Sequence, residues 1–404
     1  MRSSAVYVDR VSESRLAEIP SGDVARGAAI RADLRRATPA VIGSWLGARA
    51  LTVIGWLIAR SDIVTAGRRA GPLDDALMSF DATFYRAIGI WGYPRCRGGD
   101  FACIEVRRFF PLYPAVGRVA AVASPFGVGV SLLIVANLAA LVAGFVVWRL
   151  MAAMRPEPGF ASAAVVLLTL FPASSILPFA YAESLALVFT AGSLLALQTW
   201  RAGGSALGGV LSGLLRPTGV FVTVPVVVAW LRRRGSTSWS RWTWAGVAAA
   251  PALGVAAFHL FLGATRSDAL APVRVQGQLR GGFHEPVTRL IAALWRTATD
   301  DFRDAYNVAF GVGFIVLVAL AATRYRSKVP VTWTVMAGVG VAVALSANNI
   351  DSFGRYGLAI FPAWLAVLTL ISRSRRWIGV VVVAVSSVGY VLMTVVTMRG
   401  VLIP

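Results

Sequence analysis

The chain has 404 residues, 57% of them hydrophobic and only 14% charged, with a formal net charge of +20 and a mean hydropathy of +0.69. A water-soluble domain of this length needs far more charge to cover its surface, so a soluble globular protein is excluded. The basic residues concentrate between apolar runs, where they set membrane topology, and they give no case for a nucleic-acid partner.

In chain order, residues 1–37 are charged and polar and lack the apolar core of a cleavable leader, which predicts a cytoplasmic tail. Residues 38–404 read as one all-α, polytopic transmembrane domain. Apolar runs predict spans at 38–58, 129–153, 161–179, 183–200, 243–263, 306–323, 329–347, 355–372 and 376–397, each able to cross a hydrocarbon core of about 30 Å. Between them, 205–231 is interrupted at Arg216-Pro217. A proline and a charge in mid-segment predict two short helices that enter and return, with a single crossing as the alternative. The returning form puts the arginine-rich loops at 232–235, 324–328 and 372–376 on the cytoplasmic side.

That topology leaves a long first extracytoplasmic loop, 59–128, with interfacial helices. In "FDATFYRAIGIW", Phe80, Phe84, Ile88 and Trp91 recur at helical spacing and predict one apolar face. Asp81 and Tyr85, four apart, share the neighbouring face. Such a helix lies in the membrane interface with Asp81 at headgroup level, either as a helix-capping anchor residue or as a general base. Next, Arg107 and Arg108 precede Pro111, Tyr113 and Pro114 in "RRFFPLYP", and suit lipid phosphates or headgroup anchoring. Cys96 and Cys103 are the chain's two cysteines. They fit no zinc pattern, so a disulfide pinning the loop or two free thiols are the two readings.

Further on, Glu183 follows a proline-interrupted apolar run, where an acid needs hydration, a partner or a helix dipole. Arg216 at membrane depth needs a carboxylate or phosphate partner. Asp351, Arg355 and Tyr356 fall in a later outer loop, where Asp351 and Arg355 are spaced for a local salt bridge. Together these place carboxylates, arginines and tyrosines at the outer ends of several helices. That set suits an anionic lipid donor and a hydroxylated acceptor.

The ordered segments "FDATFY", "WGYP", "RRFFPLYP", "FAYAESLAL", "RPTG", "VQGQLRGGFHEP" and "DSFGRYGLAIFP" resemble the PIG-V mannosyltransferases of the GT-C class. The similarity runs over about residues 40–370; Phe80 stands where that family usually has tryptophan, and 95–106 is an insertion. The resemblance implies a GT-C-like bundle of about nine to eleven transmembrane helices in the cell membrane, with its active site facing outside the cytoplasm. It further implies inverting transfer of a sugar, mannose above others, from a polyprenyl-phosphate donor to a lipid-linked glycan acceptor, with no cofactor and no obligate metal. On that reading Asp81 is the general base, Tyr85 orients it or the acceptor, and Arg107, Arg108 and Arg355 bind phosphate. Tyr113 falls within the matched motif, Glu183, Gln276 and Tyr356 contact sugar hydroxyls, and Arg216 is structural. The alternatives are another polyprenyl-linked sugar (glucose, galactose or arabinose) and a lipid or solute transporter, for which Arg216-Pro217 is the one midplane hint.

Overall fold

The computed structural model describes residues 23–96, 100–232, 239–299, 305–347 and 352–402. Residues 1–22 of the predicted tail, the basic run 233–235 and Asp351 lie outside the described residues. Helix α1 (Asp23–Arg60) leads to one end of a helical bundle, where α2 (Leu73–Leu77), α3 (Asp81–Trp91), α4 (Phe101–Glu105), a 3-10 turn (Val106–Arg108) and α5 (Leu112–Val122) follow. Helix α6 (Val128–Met154) runs to the opposite end. The chain comes back through α7 (Phe160–Leu170) and a 3-10 turn (Pro172–Ile176), then descends as α8 (Glu183–Gln198). Next are α9 (Ala202–Leu215), a 3-10 turn (Pro217–Val222), α10 (Thr223–Arg232) and α11 (Arg241–Arg266). Helices α12 (Ala271–Arg280) and α13 (Pro286–Thr299) lead into α14 (Ala305–Ala322) and α15 (Val331–Leu345). The chain finishes with α16 (Phe353–Ala359), α17 (Phe361–Ser372) and α18 (Arg376–Met398).

The protein is an all-α polytopic membrane protein. Among the described residues, helices α1, α6, α11, α14 and α18 are long and apolar enough to cross a membrane, and α16 with α17 meets the same length and composition only as a pair bent by 91°. Shorter apolar helices, among them α7, α8, α9 and α15, fill the bundle between them. Two expected continuous spans are broken. The run 161–179 stops as an α-helix at Leu170, ahead of Pro172. The run 355–372 bends by 91° between α16 and α17, at Ile360, two residues before Pro362. Both breaks follow from proline, which lacks an amide donor and crowds the preceding turn.

The segment around Arg216 is a hairpin in space. Helix α9 starts beside Trp200, and α10 ends beside Trp230 in the same aromatic cluster. Trp200 packs on Trp239 and Trp244 with ring centroids 5.6 and 6.1 Å apart. Both ends of the hairpin therefore lie at one end of the bundle and its tip, Arg216-Pro217, points toward the other. Helix α11 packs along α9 at very close range. A Cβ on Gly213 would stand 2.1 Å from the Pro251 carbonyl oxygen, and one on Gly254 would stand 2.2 Å from that of Val210. Small residues here let two backbones touch, the usual basis of helix association in lipid.

The two ends of the bundle differ in charge. The connections at the hairpin-base end are short and carry Arg155, Arg201, Arg324, Arg326, Lys328, Arg373 and Arg375. The connections at the tip end are long and mix arginines with Asp62, Asp74, Asp75, Asp81, Glu105, Asp268 and Glu285. At that end Arg399 clamps the chain's last turn to the end of α1, donating to the carbonyls of Ala59 at 2.9 Å and Ser61 at 2.5 Å.

Gly213→Val forces the α9–α11 contact apart, because its neighbour is backbone and cannot yield. The expected cost is about 1–3 kcal/mol, read as a lower unfolding temperature in detergent, while Gly277→Val, with open space around its Cβ position, leaves that temperature unchanged.

Candidate functional site

The site forms where helix ends converge. Asp81 opens α3 and Glu183 opens α8, so each carboxylate sits at the positive end of a helix dipole. Arg216 follows the last residue of α9 and meets the negative end of that helix. Arg355 lies in the short helix α16, which the break at Ile360 turns toward the carboxylates. Phe80, just before Asp81, is held at φ +52°, a conformation costly for an aromatic residue. Such strain persists only where the surroundings enforce it.

These side chains form one network. Arg355 donates from Nη1 to Asp81 Oδ2 at 2.7 Å and from Nε to Glu183 Oε1. Arg216 Nη1 donates to the same Glu183 oxygen. Arg108 Nη2 lies 3.7 Å from Asp81 Oδ1 and 3.0 Å from Glu105 Oε1. The Glu183 side chain is 2% exposed, and its second oxygen, Oε2, has no hydrogen-bond partner. The Tyr181 hydroxyl donates to the Ser79 carbonyl at 3.2 Å and accepts from the Asp81 amide at 3.3 Å. The Arg355 guanidinium stands 5.0 Å from the centre of the Tyr181 ring.

Burial is the largest single influence on Asp81 and pushes its pKa up. The charges of Arg355, Arg108 and Arg216, with the Arg355 hydrogen bond, outweigh it and hold the carboxyl below its ordinary value. Burial raises the Tyr85 hydroxyl well above the ordinary tyrosine range, and the nearby Glu183 charge adds to this. A cleft opens beneath the network, lined by Glu183, Arg216, Arg355, Thr190, Ser212 and Leu187. Two of its wall hydroxyls, Thr190 and Ser212, are bonded to each other at 2.9 Å.

The structure thus brings Asp81, Glu183, Arg108, Arg216 and Arg355 together from five separate stretches of sequence. Three expected positions differ. Arg107 is buried, donates to Asp268 Oδ2 at 3.2 Å and to the Pro94 carbonyl at 3.1 Å, and ties the outer loop to the segment after α11. It is a strut and does not face the site. Tyr113 is fully buried with its hydroxyl donating to the Leu132 carbonyl at 2.9 Å, which holds α5 on α6. Tyr85 is also buried, edge-on to Phe109 and Tyr113, with its hydroxyl within electrostatic reach of Glu183, Arg216 and Asp81. Arg216, expected to be structural and to need a carboxylate or phosphate partner, shares Glu183 Oε1 with Arg355.

Arg355 bonds to Asp81 and Glu183, distant in sequence; its expected neighbour Asp351 lies outside the described residues. Gln276 lies in α12, where its Oε1 accepts from Arg280 Nε at 3.4 Å. The Arg280 guanidinium stands over the Tyr356 ring at 5.2 Å, next to Arg355. Cys96 and Cys103 are joined by a disulfide that links the loop to α4, just ahead of Arg107 and Arg108. The residues that sequence reasoning missed are Tyr181, whose only signal was its place two positions before Glu183, and Arg280. Among the described residues no group of three or more His, Cys, Asp or Glu side chains is placed to hold a metal ion.

No family model matches the chain, and no curated protein matches it. Among solved structures it is similar to the oligosaccharyltransferase of Archaeoglobus fulgidus in its apo form, at 13% identity and a TM-score of 0.42, covering 88% of this chain and 56% of that one. It is also similar to the archaeal oligosaccharyltransferase AglB of the same organism in complex with an inhibitory peptide and a dolichol-phosphate, at 13% identity and a TM-score of 0.45, covering 87% and 55%. The chain spans a little over half the length of the structures it matches.

Glu183→Ala leaves two guanidinium groups without their shared carboxylate and costs about 3–5 kcal/mol of stability, measured by unfolding in detergent. Because the folded-state pKa of Asp81 is lowered, its contribution to stability is complete above the unfolded value of about 3.9 and is lost as pH falls through the native value. Asp81→Asn removes that part of the acid dependence, which a pH series of melting temperatures reads directly.

Proposed function

We propose that this protein is a GT-C-type membrane glycosyltransferase that moves a sugar, mannose first among candidates, from a polyprenyl-phosphate donor to a lipid-linked glycan acceptor on the extracytoplasmic face. The observation that carries this is the convergence of Asp81, Glu183, Arg216 and Arg355. They come from four motifs that resemble the PIG-V family, and they meet in one charged cluster at one end of an apolar bundle. The dolichol-phosphate held by the archaeal structure is the same chemical type of lipid carrier. The charge asymmetry supports the orientation: the short arginine-rich connections belong in the cytoplasm, and the site lies at the other end.

In this reaction the Asp81 carboxylate takes the proton of the acceptor hydroxyl. The acceptor oxygen forms a bond to the sugar C1 from the face opposite the leaving group, the C1–oxygen bond to phosphate breaks, and its electron pair leaves on the lipid phosphate. The proton ends on Asp81 and the anomeric centre inverts. The leaving phosphate is already anionic, so it needs no acid; guanidinium groups stabilise its growing charge. Arg108 and Arg355 are the phosphate ligands because each reaches Asp81 from a different side. Their engagement by phosphate also withdraws positive charge from Asp81 and makes it a stronger base than in the empty site. Glu183 Oε2, buried and without a partner, accepts from a sugar hydroxyl, and Gln276 and Tyr356 border the outer side.

The test is transfer from a radiolabelled polyprenyl-phosphate mannose by purified protein in lipid. Asp81→Asn lowers the rate by about 10²–10⁴ with folding intact, the range for loss of a general base; equal rates for variant and parent would remove Asp81 from the mechanism. Arg108→Ala weakens transfer with the protein still folded, whereas Arg107→Ala acts mainly by lowering the melting temperature. Since Asp81 is ionised in the free protein, kcat/KM shows no acid limb from it above about pH 4.

A further inference from the structure

Helix α13 has a surface that the proposed reaction does not use. It has three faces. Arg289, Leu290 and Ala293 turn inward, with Arg289 and Ala293 buried, and pack on α14 and α15. Val287, Ile291, Leu294 and Trp295 form a second face, 63%, 60%, 43% and 70% exposed. Thr288, Ala292, Arg296 and Thr299 form a third, exposed and mostly polar. At about 100° per residue these are three adjoining sectors of the helix surface. A helix surrounded by water gains nothing by exposing four large apolar side chains on one side, and a helix inside a bundle has no polar sector.

The placement of α13 says what lies against the apolar sector. The helix starts at the tip end of the bundle: the His284 amide donates to the Ser346 carbonyl at 2.8 Å, just past the end of α15. Glu285 caps it, accepting from the amides of Val287 at 2.9 Å and Thr288 at 2.8 Å. Its protein face rests on α14 and α15, whose outward residues Val312, Val316, Val335, Val339 and Val343 are also exposed. In a polytopic protein that valine surface faces hydrocarbon. The apolar sector of α13 continues it at the level where the spans end, and residues 286–299 contain no acid, with Arg296 on the polar sector.

We propose that α13 is an interfacial helix of the outer leaflet: Val287, Ile291, Leu294 and Trp295 insert among the upper acyl chains, and Thr288 and Arg296 meet the phosphate headgroup layer. The partner is the lipid surface itself. A helix of this amphipathicity binds in the interface plane by burying its apolar sector, and an interfacial tryptophan and arginine fit that depth. The same helix is connected through residues 281–285 to α12, which carries Gln276 and Arg280 beside Tyr356. The outer border of the charged site is therefore built on an element seated in lipid headgroups.

The experiment uses the full chain with its disulfide intact, spin-labelled at Ile291→Cys in one sample and Thr288→Cys in another, in phosphatidylcholine–phosphatidylglycerol vesicles. Collisional broadening is compared for oxygen, which concentrates in the bilayer, and a water-soluble nickel chelate. The expected result is broadening of the Ile291 label by oxygen and not by nickel, with the Thr288 label responding to nickel. Equal nickel access at both positions overturns the proposal in favour of a solvated helix. Shielding of Ile291 from both reagents overturns it in favour of a protein partner, including a second copy of the chain. Sugar transfer does not enter this measurement, so failure of the enzymatic reading and failure of this one are distinguished.

Discussion

One oxygen of one buried carboxylate holds the site end of this protein together. Glu183 Oε1 receives both Arg216 and Arg355, and Arg355 continues to Asp81. Through these contacts α8, the α9–α10 hairpin, the short helix α16 and helix α3 are fixed to one point. In a low-dielectric setting an unpaired member would cost several kcal/mol, so the four groups are satisfied together or not at all. The breaks at Pro172, Pro217 and Pro362 are what make the meeting geometrically feasible. Straight spans would carry Arg216 and Arg355 past the carboxylates.

The membrane class, the approximate runs of the spans and the identity of the charged residues were legible from composition and apolar run length. The reason is physical: a hydrocarbon core imposes one length scale and penalises every charge, so charges inside apolar sequence stand out. The hairpin at Arg216 was legible as one of two alternatives, since a proline beside an arginine interrupts a span without saying which way the chain then turns. The bend at Ile360 was not read from the sequence although Pro362 signals it, because a proline is tolerated in the first turn of a helix and does not say how far the chain turns before it.

The site was legible by residue type and poorly by partner. Arg107 and Arg108 are neighbours of identical chemistry, and only the 3-10 turn they share sends one to Asp268 and the other toward Asp81. Sequence spacing suggested Asp351 for Arg355, a local partner, whereas the observed partners are 274 and 172 positions away. Tyr85 and Tyr113 carried the right chemistry, and their burial came from packing that no spacing announces: their rings fill the wedge between α3, α5 and α6. Long-range pairing of this kind has no periodic signature in a single chain.

The charge balance of the empty cluster has a kinetic side. Asp81 and Glu183 offset Arg355 and Arg216, and Glu105 offsets Arg108, so an arriving anion competes with internal ion pairs for those guanidinium groups. Occupancy is then an exchange between the protein's own carboxylates and the ligand's phosphate. On the proposed reaction the donor is a phosphodiester with a single charge, while the spent carrier is a monoester of about −1.5 to −2. The spent carrier competes better for the same guanidinium groups. On that reading Glu183, and Asp81 once it has lost the acceptor's proton, are the internal competitors that displace it.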